Sequence, residues 1–188
     1  MQFFLEVLIG GLLSGVMYAL VALGYVLIYK ASGVFNFAQG AMVFFAALTF
    51  VGITELGVPF GLALILAFGA MVLLAIATER VVLRPLVNQP QITLFMATIG
   101  LTFLIEGLAQ GMWGASVRGL EIPGIQDEPL EWMMENTGIG VSKFDLFAAG
   151  VSAVLVVVLA VFFNKTRVGR ALRAVADDHQ AALAIGIP

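Results

Sequence analysis

The chain has 188 residues, 61% of them hydrophobic and 11% charged, with a formal net charge of −3. A soluble domain is about 25% charged and roughly half apolar, and soluble monomers rarely expose contiguous apolar patches beyond a few hundred Å², so a water-soluble globule is excluded and lipid is the expected solvent. There is no cysteine, which excludes a disulfide framework and a thiolate metal site.

A spanning helix needs about 20 apolar residues at ~1.5 Å rise. In chain order, five stretches meet that requirement: residues 7–29 between Glu6 and Lys30, 31–54 between Lys30 and Glu55, 56–78 before Glu79 and Arg80, 85–113 running past Glu106, and 146–164 before Lys165. Their apolar runs are continuous rather than alternating, which favours helices over the ~9–11-residue strands of a barrel. Residues 1–6 lack a basic region and the run after them exceeds the usual ~7–15 residues, so the first span is expected to be retained rather than cleaved as a signal. The expected fold is all-α, a polytopic transmembrane bundle of about five spans forming a single domain over residues 1–188.

Basic residues of short loops set orientation. Lys30, Arg80, Arg84, Lys165, Arg167, Arg170 and Arg173 fall on one face, and only Arg118 and Lys143 on the other. That second face collects Glu55, Glu121, Asp127, Glu128, Glu131, Glu135 and Asp145. The expected N-terminus is therefore outside, the 113–144 loop is outside and acidic, and the closing segment, residues 166–188, is cytoplasmic.

Small residues recur at helical spacing: Gly11, Gly15, Ala19 and Ala22 in the first span, Gly107 and Gly111 in the fourth. Such rows let backbones approach closely and predict tight packing at these positions. Tyr18, Tyr25 and Tyr29 share a face of the first span, as core packing or an interfacial belt would place them.

Polar residues within the spans carry more weight. The stretch "GVFNFAQGAM" puts Asn36 and Gln39 three apart at the start of the second span, on one helical face. They either cap the helix and bond to a neighbouring helix, at ~0.6 kcal/mol and at most ~2, or they line a pathway. Glu106 and Gln110, four apart on the fourth span, pose the same choice, since an intramembrane carboxylate is by default a functional hypothesis.

After the last span, Val168, Leu172 and Val175 recur at helical spacing and read as an amphipathic extension. Asp177 or Asp178 then suits the N-cap of a short helix over residues 179–185, which Gly186 ends. With Ala182, Leu183 and Ile185 facing water, that helix needs a partner groove.

"GVFNFAQGAM", "RPL" at residues 84–86 and "TRVGRALRAVADDHQAALAIGI" together closely resemble the branched-chain amino acid ABC transporter permeases, specifically the first permease subunit of the pair. The second-span motif is matched at Asn36, Phe37, Ala38 and Gly40. The closing segment is similar to the family's coupling loop, matched at Gly169, Arg170, Arg173, Ala174, Asp178, Ala181, Ala182 and Gly186.

The resemblance implies a multi-pass protein of a bacterial or archaeal plasma membrane, importing leucine, isoleucine or valine. It implies ABC ATPase subunits, a second permease subunit and a periplasmic or lipid-tethered binding protein as partners, besides membrane lipid and with no nucleic acid. Arg170 and Arg173 would meet acidic residues of a partner or anionic headgroups. No cofactor is expected in this chain. The phosphate-cradling pattern G-x-x-x-x-G-K-[ST] does not occur in it, so ATP would be used by a partner subunit. Family members continue past the coupling loop with further spans, so the chain reads as the N-terminal portion of a permease, apparently truncated.

Three other readings remain open: a permease of the same architecture for urea, short amides or sugars, a passive channel, and a membrane scaffold. An intramembrane enzyme is not expected, because no span holds an aspartate pair or a nucleophile with a base. His179 is cytoplasmic in this topology, and Ser14 has no basic companion in its own helix.

Overall fold

The computed structural model describes residues 2–32, 35–86, 89–120, 128–166 and 169. Six α-helices follow in order: α1 (Gln2–Ser32), α2 (Gln39–Glu55), α3 (Phe60–Ala77), α4 (Gln91–Trp113), α5 (Glu131–Thr137) and α6 (Lys143–Lys165). The fold is all-α. Four helical stretches, Gln2–Tyr29, Phe60–Leu86, Gln91–Trp113 and Lys143–Lys165, are long and apolar enough to cross a membrane. At 17 residues α2 is shorter, at the lower end of the spanning range of roughly 17–25. Phe68, Leu73 and Phe103 are each at least 70% exposed, a placement that suits lipid and would be costly in water.

Two compact units divide the chain: Val34–Ile122, and Met1–Gly33 with Pro123–Pro188. In the first, α2 and α4 run parallel. Phe37, just before α2, meets Phe95 near the start of α4 edge to face at 4.7 Å between centroids, and Gly52 near the end of α2 lies under the ring of Trp113, the last residue of α4. After α2 the chain returns antiparallel in α3, with Phe50 of α2 against Phe60 at the start of α3 at 5.2 Å. The reversal between α2 and α3 uses Gly57 at φ 84°, whose N–H donates to the Thr54 carbonyl at 2.9 Å, the left-handed stop that glycine takes without a Cβ penalty.

Helical periodicity selects the core. Ala38, Ala41 and Phe45 on the α2 side meet Leu101, Ile105 and Ala109 of α4, with Met71, Leu74 and Val82 packed against them. Thr49 and Thr98 complete the buried rows at 3% and 1% exposure. The α2 and α4 positions recur three or four residues apart, one stripe per helix. Lipid tails are as apolar as these side chains, so what joins the helices is contact quality and close approach rather than escape from water.

Four expected boundaries differ. Helix α1 continues through Lys30 to Ser32, and α2 begins only at Gln39. The third span continues beyond residue 78: Thr78–Leu83 form a π-helical turn and Arg84–Leu86 a 3-10 turn. Glu79, Arg80 and Arg84 are therefore helical rather than loop residues. Pro85 is the physical reason the helix ends there, since it lacks an N–H and its ring crowds the carbonyl four residues back. Pro90, at the N-cap of α4, sets that helix's start at Gln91 instead of residue 85, and Trp113 ends it as the sequence suggested.

In the second unit α6 packs on α1. The segment before α6 closes on itself around α5: Leu130 N–H donates to the Val141 carbonyl and Lys143 N–H to the Glu128 carbonyl, both at 2.9 Å. Ile139 and Val141 are buried. Glycines allow this segment to sit close to the start of α1, Gly138 beside the Gln2 amide and Gly140 beside the Glu6 carboxylate. Gly138 also ends α5 in the left-handed conformation, φ 67°. The Ser142 hydroxyl accepts from the N–H groups of Phe144 at 3.0 Å and Asp145 at 3.3 Å, which caps α6.

Among the described residues nothing packs on the glycine rows of the first and fourth spans. A Cβ at Gly11, Gly15, Gly107 or Gly111 would meet no atom within 4 Å, and Tyr18 and Tyr29 on α1 are exposed. The close approach falls at Gly52, where a Cβ would overlap the Trp113 ring. Gly52→Ala should destabilise the protein by roughly 1–3 kcal/mol through overpacking, read as a lower thermal midpoint in detergent, whereas in a Trp113→Gly background the same substitution should cost nothing.

Candidate functional site

The sequence-selected residues fall at two places, the α2–α4 seam and the chain beyond α6. Asn36 is buried, and its Oδ1 accepts from the Ala38 N–H at 3.1 Å, while its carbonyl accepts from the Gln39 N–H at 3.3 Å. This is a local turn of the kind asparagine makes with its own backbone two residues on. The N-cap position of α2 is Ala38, which has no capping side chain. Asn36 and Gln39 therefore do not share a helical face: Asn36 shapes the turn before the helix, and only Gln39, half-buried, lies on it.

On α4, Glu106 is half-buried and Gln110 exposed, beside the buried row of Leu101, Ile105 and Ala109. Two threonines continue their line at four-residue spacing. The Thr102 hydroxyl donates to the Thr98 carbonyl at 3.0 Å and the Thr98 hydroxyl to the Phe95 carbonyl at 2.9 Å. The fourth span thus carries a polar series of Thr98, Thr102, Glu106 and Gln110, of which the sequence by itself singles out only Glu106 and Gln110.

Sequence reasoning also passed over the clamp at the far end of the seam. Arg118 forms an ion pair with Glu55 and donates to the Trp113 carbonyl. Gly114, at φ 83°, turns the chain after α4 and donates its N–H to the Gln110 carbonyl at 2.8 Å. In the sequence Glu55 and Arg118 register as topology charges; their opposite signs at the ends of same-direction spans are the signal for the pair. The Trp113 Nε1 and Arg118 Nε atoms have no hydrogen-bond partner, so the clamp is not a fully satisfied network. Among the described residues no group of histidine, cysteine, aspartate or glutamate is arranged to hold a metal.

Of the closing-segment residues, Gly169 is described. Its N–H donates to the Thr166 hydroxyl at 3.0 Å, and that hydroxyl donates to the Phe162 carbonyl at 2.7 Å. A Cβ on residue 169 would lie 2.5 Å from the Phe163 Cα and 2.7 Å from the Phe162 and Phe163 carbonyl oxygens. Backbone cannot yield as a side chain tip does, so the chain's close return onto the end of α6 requires glycine here. Arg170, Arg173, Asp178, Ala181, Ala182 and Gly186, with the expected amphipathic extension and capped helix, lie outside the described residues.

Compared with known proteins, the chain matches, over residues 7–188, the profile of the family described as branched-chain amino acid transport system / permease component. The chain belongs to this permease family. Among curated relatives, it is 26% identical to the high-affinity branched-chain amino acid transport system permease protein LivH of Escherichia coli K12 and 25% identical to LivH of Salmonella typhimurium. Each alignment covers 98% of this chain and 63% of the relative. BraD of Pseudomonas aeruginosa, described in the same words, is 28% identical over 98% of this chain and 62% of its own length. The permease thus spans less than two thirds of the curated relatives it matches. No solved structure matches it.

Because Arg118 and Glu55 side chains are 21% and 50% exposed, water and salt screen their attraction, and a double-mutant cycle with Glu55→Gln and Arg118→Gln should return only ~0.2–1 kcal/mol of coupling. Thermal midpoints at low and high salt check this, and the coupling should shrink as salt rises.

Proposed function

We propose that this permease contributes to the translocation pathway of an ABC importer for branched-chain amino acids, in a bacterial or archaeal plasma membrane, and that its closing segment docks an ATPase subunit. The observation that carries the reading is the family match over residues 7–188. The basic bias of one set of loops supports the orientation, with the Phe37 and Phe95 end of the seam cytoplasmic and the Glu55 and Arg118 end outside.

Work enters this mechanism from the cytosol. ATP-driven closure of the partner ATPases moves the segment Asp178 to Gly186, and the spans rock between outward-open and inward-open states. Gly169 starts the lever, because its close seating against the end of α6 ties any displacement of the segment to the helix. Ala181 and Ala182 are small enough for a docked helix, Gly186 permits its stop, and Arg170 and Arg173 meet acidic partner residues. Pinned at both ends, α2 and α4 move as one body. Asn36, Gln39, Glu106 and Gln110 supply the polar groups near the pathway. No step requires covalent chemistry in this chain. A second permease subunit completes the pathway, and a periplasmic or lipid-tethered binding protein delivers the cargo.

Reconstituting the complete assembly in vesicles and supplying labelled leucine, urea and ribose in parallel tests the assignment. ATP-dependent accumulation of leucine is the expected result. Accumulation of urea or ribose instead would reassign the cargo, and ATP-independent flux would make the protein a passive channel. Ala182→Trp should leave the subunits expressed while ATP hydrolysis continues without uptake; uptake still coupled as in the unaltered assembly would remove the docking role.

A further inference from the structure

The polar row of α4 differs chemically from the rest of the membrane-crossing surface. Thr98, Thr102, Glu106 and Gln110 stand four apart, so each flanks the next, and the series turns from the buried Thr98 through the half-buried Thr102 and Glu106 to the exposed Gln110. Glu106 is seven residues inside the Trp113 end, about 10 Å at ~1.5 Å per residue.

The hydrogen bonds already made decide what such a row can recognise. Both threonine hydroxyls give their protons to carbonyls of their own helix, so neither has a proton for a carboxylate and each has only lone pairs to offer. An ionised Glu106 is likewise acceptor-only. The ion pairs among the described residues are Arg118 with Glu55 and Lys143 with Glu128, so no cation of the described residues neutralises Glu106. A half-buried carboxylate at this depth is costly without one. What fits beside it is a compact cation with several N–H donors. Gln110, one turn further on, supplies the row's amide donor.

We infer that Glu106, together with the Thr102 hydroxyl, holds the α-ammonium of the amino acid in transit. The inference rests on the importer reading and adds to it the contact that distinguishes an amino acid from an uncharged cargo. Glu106 takes the positive end, the Thr102 lone pairs accept a second ammonium N–H, and the aliphatic side chain is left to the apolar walls.

The experiment uses the complete reconstituted assembly and reads leucine moved per ATP hydrolysed, with co-purification of all subunits measured alongside. Glu106→Gln should lower leucine per ATP by at least about tenfold, the size of one charge-assisted hydrogen bond, while ATP hydrolysis and co-purification persist. Glu106→Asp keeps the charge and should recover most of the loss, which a purely structural role of the side chain would not predict. Gly100→Ala on the same helix, where a Cβ meets no atom within 4 Å, should leave transport unchanged. Leucine per ATP equal to wild type in Glu106→Gln would overturn the inference while leaving the importer reading standing. Failure of Glu106→Gln, but not Glu106→Asp, to co-purify would assign the charge to a contact with a neighbouring subunit and overturn it too. If the unaltered assembly moves no amino acid at all, the importer reading itself falls, and the inference with it.

Discussion

The close parallel contact of α2 with α4 is what the rest of the Val34–Ile122 unit depends on. In water, burying Phe45, Leu101 and Ile105 would by itself drive association; in lipid it does not, because the tails solvate those side chains as well as a neighbouring helix does. Contact therefore has to come from fit. Ala38, Ala41 and Ala109 keep the backbones near one another, and Gly52 leaves room for the Trp113 ring. The antiparallel α3 then fits against the pair through Met71 and Leu74. Remove the small residues and the polar row of α4 loses its fixed position.

Several polar side chains within this apolar body satisfy themselves locally, although the buried Thr49 hydroxyl has no partner among the described residues. Asn36 bonds to the backbone two residues on, Ser142 caps the helix that follows it, and Thr98, Thr102 and Thr166 donate to carbonyls of the preceding turn. Local partners avoid the cost of leaving a polar group bare in hydrocarbon. They also separate structural polarity from functional polarity. A hydroxyl that has given its proton to its own helix shapes a surface, whereas a carboxylate with no partner in the described chain awaits one.

The sequence made the helical class legible because run length and missing charge depend on the bilayer, not on neighbours. The end of α4 at Trp113 was legible for the same reason, and the resemblance that "GVFNFAQGAM" and the closing segment carry agrees with the family match. Packing partners were not legible. A helix that is apolar all round carries no periodic signal for which face meets protein, so Gly107 and Gly111 looked as good as Gly52. Asn36 was misplaced by a few residues because a turn before a helix and the first turn within it use the same residue types. The pairing of Glu55 with Arg118 needed the knowledge that two helices, far apart in sequence, end side by side. Of the closing segment, Thr166 and Gly169 are described; the motif singled out Gly169, but its close contact with the backbone at the end of α6 was not legible in it.

The wide turn at Thr78–Leu83 has an evolutionary consequence. A π turn accommodates an additional residue within an otherwise regular helix, and here it sits at the end of α3, downstream of the core-facing Ala63 and Ala67. Gain or loss of one residue at that point would tighten or loosen the turn without rotating the upstream alanines away from their neighbours. An insertion or deletion of one residue is therefore more easily absorbed at this position than within α3, where it would turn Ala63 and Ala67 out of their buried stripe.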